Sequence, residues 1–186
     1  MLKELVESMQ LSELIDKVKN EHYQITSTEK ADPVPEAKKY AGATFSINHK
    51  KCVYREAKMT PDRPGAFLAI WKRLDIQMKT KPIPLDAGDL DYLFIGVENI
   101  NNKQKGFFIF PVLLLLHKNI MSSDNKKGKT GFRVFPPWAA DRGNIGTQVF
   151  SASGKKTQHW QLPYFVKMNE DGSLDPSKFN QIFHTL

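Results

Sequence analysis

Apolar residues recur every three to four positions over residues 2–19, at Leu2, Leu5, Val6, Met9, Leu14, Ile15 and Val18. Glu4 and Glu7 come early and Lys17 and Lys19 late, the order that a helix dipole favours. The spacing predicts an N-terminal amphipathic helix within residues 1–20, with Ser12 placed to cap a second short helix if the chain breaks near Leu11. Residues 21–39 are polar and carry Asp32-Pro33 and Val34-Pro35, so they read as a connector. From Tyr40 the period falls to two. Ala43, Phe45 and Ile47 alternate with Thr44, Ser46 and Asn48, and after Asn48-His49-Lys50-Lys51 the alternation resumes. Cys52, Tyr54, Glu56 and Lys58 then share one face, against Val53, Arg55 and Ala57 on the other, which predicts a hairpin.

Residues 60–65, TPDRPG, form a turn cluster, and Phe67–Arg73 reads as a third strand, with a short helix as the alternative. Residues 89–98 read as a buried strand with acids at both ends, and Asn101-Asn102-Lys103 turns the chain into a strand over Gly106–Pro111. Pro111 suits the first turn of a helix over Val112–Lys118. A basic loop over 121–131 leads to a short strand, Phe132–Phe135, stopped by Pro136-Pro137. Helices are expected at Ser151–Gln161 and Pro176–Phe183. The pattern predicts a single α+β domain: a mostly antiparallel central sheet over 40–186, flanked by helices.

Charge changes this picture more than size does. The chain has 186 residues, with 27 Lys and Arg against 20 Asp and Glu. Residues 37–81 hold eleven basic and three acidic side chains, and residues 101–160 hold ten and two. Between them, residues 82–100 hold four acids and no base. Two basic stretches around an acidic one suit a positive groove with carboxylates at its floor, and so a polyanion such as DNA or RNA.

Several chemistries are excluded. The single cysteine, Cys52, can form neither an internal disulfide nor a thiolate cage. Gly128-Lys129-Thr130 lacks the glycine five positions earlier that a phosphate loop needs, Ser123 standing there instead. The five histidines show no ligand spacing. The longest apolar run, Phe107–Leu116, is too short to span a bilayer, and the N-terminus lacks the pattern of an export signal. A cytoplasmic protein without a membrane segment is expected.

Glu56-Ala57-Lys58 has the carboxylate-x-lysine spacing of metal-dependent nucleases, in which the acid holds a divalent cation and the lysine orients the attacking water. The same triplet also occurs as a plain surface ion pair. Completing a metal site needs another carboxylate, for which Asp91, Asp89 and Glu98 are candidates; Mg2+ held by Glu56 with Asp91 or Glu98 is then the cofactor, whereas binding alone requires none.

Residues 40–45 (YAGATF), 54–61 (YREAKMTP), 65–73 (GAFLAIWKR), 86–91 (DAGDLD), 106–111 (GFFIFP), 132–138 (FRVFPPW) and 158–162 (QHWQL) together resemble the MepB family over roughly residues 36–168. The resemblance implies a small cytoplasmic bacterial protein whose core is similar in outline to the restriction-endonuclease fold, and hence nucleic-acid binding. The family's stable pattern, R-x-A-K, matches Arg55, Ala57 and Lys58, and leaves the position of Glu56 free. That implies a binding module with a degenerate nuclease core.

Three readings follow. In the first, Arg55, Lys58, Lys72, Arg73 and Arg133 contact phosphates while Trp71, Trp138 and Trp160 stack on bases. In the second, Glu56 and Lys58 are the catalytic pair of a Mg2+-dependent nuclease. In the third, Pro136-Pro137-Trp138 and Thr157-Gln158-His159-Trp160 wall a cleft for a protein or small ligand.

Overall fold

The structure, a computed structural model, describes residues 23–31 and 39–183. The helix expected within residues 1–20 lies outside the described residues. The main sheet has six strands in the order β1-β2-β3-β8-β9-β11. They are β1 (Ile25–Ala31), β2 (Ala43–Ile47), β3 (Lys50–Glu56), β8 (Tyr92–Asn99), β9 (Gln104–Pro111) and β11 (Phe165–Met168). A three-stranded sheet, ordered β10-β5-β4, is built from β4 (Lys58–Thr60), β5 (Arg63–Ala69) and β10 (Gly131–Val134). Trp71–Lys72 (β6) and Ile83–Pro84 (β7) make a small ribbon. The helices are α1 (Val112–His117), α2 (Ala152–Gln161) and α3 (Pro176–Phe183).

The β2–β3 hairpin turns at Asn48 and His49, whose φ angles of 48° and 63° suit a two-residue turn of the primed type. Beyond it the main sheet is mixed, not mostly antiparallel. β3 runs parallel to β8, with Cys52 opposite Tyr92 and Glu56 opposite Gly96, while the other neighbours are antiparallel. Parallel neighbours need a long crossover, and residues 57–91 supply it by building β4 to β7 before the chain returns.

Alternation assigns each strand's side chains to two cores. On one face Phe45, Tyr54, Tyr92, Phe94 and Ile109 pack under Phe179, Ile182 and Phe183 of α3. Tyr92 stacks on Phe183 at 4.4 Å and donates its hydroxyl to the Phe183 carbonyl at 2.9 Å. On the other face Val53, Leu93, Ile95, Phe108 and Phe110 pack against Ala66, Leu68, Phe132 and Val134 of the small sheet and Leu115 of α1. Among the described residues, α3 covers one face of the main sheet, and the small sheet with α1 and Trp160 of α2 covers the other.

Three strands appear where none was expected: β7 at Ile83–Pro84, and two in the main sheet. β1 occupies part of the connector, and β11 follows α2 after a single 3-10 turn. The turn cluster at 60–65 narrows to Pro61-Asp62, because β5 already begins at Arg63. Gly65 sits inside that strand at φ +73°, and a Cβ there would stand 2.6 Å from the Val134 carbonyl oxygen and the Phe135 ring. Gly106 is as crowded, a Cβ meeting Phe165 at 2.3 Å. Gly106→Ala should therefore destabilise the fold by about 1–3 kcal/mol through overpacking, read as a lower midpoint in urea.

Candidate functional site

β3 ends at Glu56, the next residue's N–H still reaching Gly96 of β8 at 3.0 Å, and the chain then enters the small sheet at Lys58. Glu56 and Lys58 therefore belong to different sheets, not to one strand face as the alternation suggested, yet their side chains form an ion pair. Lys58 is exposed and Glu56 largely covered.

The register of the small sheet sets Lys58 opposite Phe67 and Phe67 opposite Arg133. Their neighbours Ala66, Leu68, Phe132 and Val134 point into the core, so Lys58, Phe67 and Arg133 form a row on the outward face. Phe67 is half-buried, with the Tyr40 ring edge-on at 6.3 Å and the Arg133 guanidinium 5.9 Å from its centroid. Lys39 lies over Tyr40 at 5.6 Å. Arg133 donates to Thr60 Oγ1 at 2.8 Å and to the Pro64 carbonyl at 3.3 Å, which aims its guanidinium along the turn toward Arg63.

The other predicted cations are held elsewhere. Arg55 is 2% exposed and donates to the Tyr54 carbonyl at 2.8 Å, so it is buried between the two sheets and presents no surface to a phosphate. Lys72 bridges Asp86 and Asp89 at 2.7 and 2.8 Å. Asp86 also accepts the Gly88 N–H, and Asp89 the Asp86 N–H. Burial lowers the Lys72 pKa, but the two carboxylates outweigh it and the net shift is upward. Its hydrogen bond to Lys72 holds Asp86 below the usual carboxylate range. Lys72 thus closes the 86–89 loop instead of meeting a polyanion. Arg73 stacks over Trp71 at 5.0 Å and donates to the carbonyls of Lys79 and Thr80, pinning the following loop.

The tryptophans are half-buried and mostly packed. Trp160 lies against Phe110 at 5.5 Å beneath the Lys118 ammonium, and Trp138 meets Phe165 edge-on at 5.7 Å. Trp138 also lines a hollow of about 180 Å³ with Glu98, Asp141 and Arg142.

The expected metal ligands do not assemble. Asp91 accepts the Lys51 N–H at 2.7 Å just before the start of β8, whereas Glu56 faces Gly96, five residues and ~16 Å of strand further on. Glu98 lies at Glu56's end of β8 but 3.9 Å from Lys105. Among the described residues no three His, Cys, Asp or Glu side chains form a metal-holding group. The described residues therefore offer Mg2+ no donor set. Cys52 is buried, and burial pushes its thiol up to about 12, which removes it as a nucleophile.

A family model, MepB-like, matches residues 35–167. The chain belongs to the MepB-like family. All the motifs from 40–45 to 158–162 that carry the resemblance fall within the matched stretch. The crystal structure of MepB is similar to this MepB-like chain at 27% identity, covering 88% of this chain and 97% of that one, with a TM-score of 0.62. A search of curated proteins gives no match. No helix among the described residues is long and apolar enough to cross a membrane.

Sequence reasoning missed Lys39, Tyr40, Arg63 and Phe67. Their signal is the way an aromatic and a basic residue recur on the outward positions of β5 and its neighbours, visible only once β5 is known to start at Arg63.

Two outcomes are expected. Lys72→Met should cost about 1 kcal/mol, modest because the pair is partly exposed, and should flatten the acid limb of the stability curve. The sign follows from Asp86: a lowered folded pKa gives stability that is present above the unfolded value near ~4 and lost as pH falls through the folded one, which urea melts across pH 2–6 would show. The Cys52 thiol should react with an aromatic disulfide reagent only as fast as the protein opens, and at once in denaturant.

Proposed function

We propose that this MepB-like chain binds nucleic acid through its phosphate backbone along the outward face of the small sheet, without cutting it. The observation that carries this reading is the row Lys58–Phe67–Arg133, to which three separate strands contribute, with Lys39 and Tyr40 beside it. Cations spaced across a sheet meet successive phosphates and release condensed counterions, while half-exposed Phe67 and Tyr40 offer rings to an unpaired base. The expected restriction-endonuclease-like core enters as scaffold: a mixed sheet with Glu56 and Lys58 where β3 leaves it. DNA and RNA serve this chemistry alike, and a soluble cytoplasmic setting agrees with it.

The cleaving alternative keeps Glu56 and Lys58 as its pair, but it needs a second carboxylate beside Glu56: Asp91 is too distant, and Glu98, at that end of β8, faces the Lys105 ammonium. Binding is therefore favoured over catalysis.

Fluorescence anisotropy on labelled single- and double-stranded oligonucleotides tests the reading. Affinity should fall steeply with salt, and Lys39→Ala and Lys58→Ala should each weaken it several-fold and reduce the salt slope by about one. Absence of binding at low salt, or a double variant that binds like the parent, would overturn it. Incubating plasmid with Mg2+ or Mn2+ decides the alternative: cutting that is lost in Lys58→Ala would replace binding by catalysis.

A further inference from the structure

We propose that the cleft between the start of β5, the end of β10 and the first turn of α2 binds a phosphate monoester carried on a flat apolar ring. This site does not depend on the polyanion reading. The cleft measures about 460 Å³ and opens to solvent, and its two ends differ in chemistry. Pro64, Phe135, Val149 and Phe150 form an apolar wall, in which the Phe135 and Phe150 rings stack at 5.2 Å with 19° between their planes. Arg63 and Arg133 line the same cleft.

The wall is built, not incidental. Phe150 is held by its own N–H, which donates to the Asp141 carboxylate, and its ring packs on Gly154, where a Cβ would come within 2.9 Å. Thr147 Oγ1 donates to the Asp62 carbonyl at 3.3 Å and Arg142 N–H to the Gln148 carbonyl at 2.8 Å, closing residues 141–150 over the cleft.

The two arginines supply the anion preference. Arg133's bonds to Thr60 and Pro64 fix its direction but use only part of its five-donor fork. Arg63 is 53% exposed and pairs with Asp62, Nε to Oδ2 at 3.4 Å, a solvent-exposed pair that a dianion can displace. Burial, and after it the nearby Arg63, hold Arg133 below the ordinary arginine range; Asp62 opposes this, and Arg142 adds to it. An anion between the guanidiniums relieves that crowding. A phosphate monoester dianion carries three terminal oxygens and up to two charges, and so serves two guanidinium forks more fully than a carboxylate with two oxygens and one charge. The ion alone would leave the apolar wall wet, so a ring attached to the phosphate completes the fit.

An NMR titration of the full chain with phenyl phosphate tests this. Saturable shifts are expected at the amides of Arg63, Arg133 to Phe135 and Val149 to Thr157, with inorganic phosphate and phenol each binding about tenfold more weakly or worse. Arg63→Glu and Val149→Glu, both on exposed side chains, should each weaken phenyl phosphate by about tenfold or more, with unchanged circular dichroism confirming the fold. Lys58→Ala should leave this binding intact, so the cleft and the polyanion face fail separately. No saturation, equal affinity for phosphate alone, shifts centred elsewhere, or indifference to both substitutions would each overturn the proposal.

Discussion

The arrangement hinges on one crowded residue. Ala57 is 7% exposed, keeps its N–H on Gly96 of β8, and is the point at which the chain leaves the main sheet for the small one. Its methyl group lies in the same core as Val53, Ile95 and Ala66, the apolar surfaces that press the two sheets together. Because the small sheet is locked by that shared core, its inward positions are fixed, and alternation then leaves Lys58, Phe67 and Arg133 no choice of face. The exposed chemistry of the chain is a by-product of how its interior closes.

Cations in this protein divide into those spent on architecture and those left to solvent. Arg55 lies in the interior, Lys72 fastens the 86–89 loop, and Arg73 pins the loop after β6. Each satisfies carbonyls or carboxylates of its own chain, so net charge overstates what a partner would meet. Arg133 stands between the groups: it is anchored by Thr60 and Pro64, yet its guanidinium borders both the outward face of the small sheet and the adjoining cleft.

Much of the fold was legible. The hairpin, the buried strand over Tyr92–Asn99, α1 opening at Pro111 and α3 over Pro176–Phe183 follow directly from period and punctuation. What was hidden depends on distant partners. β1, with sequence ITSTEKA, has little apolar alternation and is a strand only because β2 offers it an edge. The parallel β3–β8 pairing cannot be seen from either strand alone, because burial on both faces, over Cys52–Arg55 in β3 and Tyr92–Val97 in β8, carries no sign of strand direction. Of the face proposed to meet a polyanion, Lys58 and Arg133 are legible by residue type and local spacing, whereas Phe67 and Lys39 join them only through the register of the small sheet and its neighbours. Arg55, Lys72 and Asp91 were misplaced because a charged side chain in a sequence does not announce whether its counter-charge comes from solvent or from its own fold.

β1 carries two register breaks against β2, and β11, at the opposite border, has only four residues. Among the described residues, neither rim of the six-stranded sheet therefore presents a long, flat ladder of amides. A second molecule would find no template along which to zip, so concentrated solutions of this basic chain are protected from fibril-like stacking by irregularity as well as by mutual repulsion.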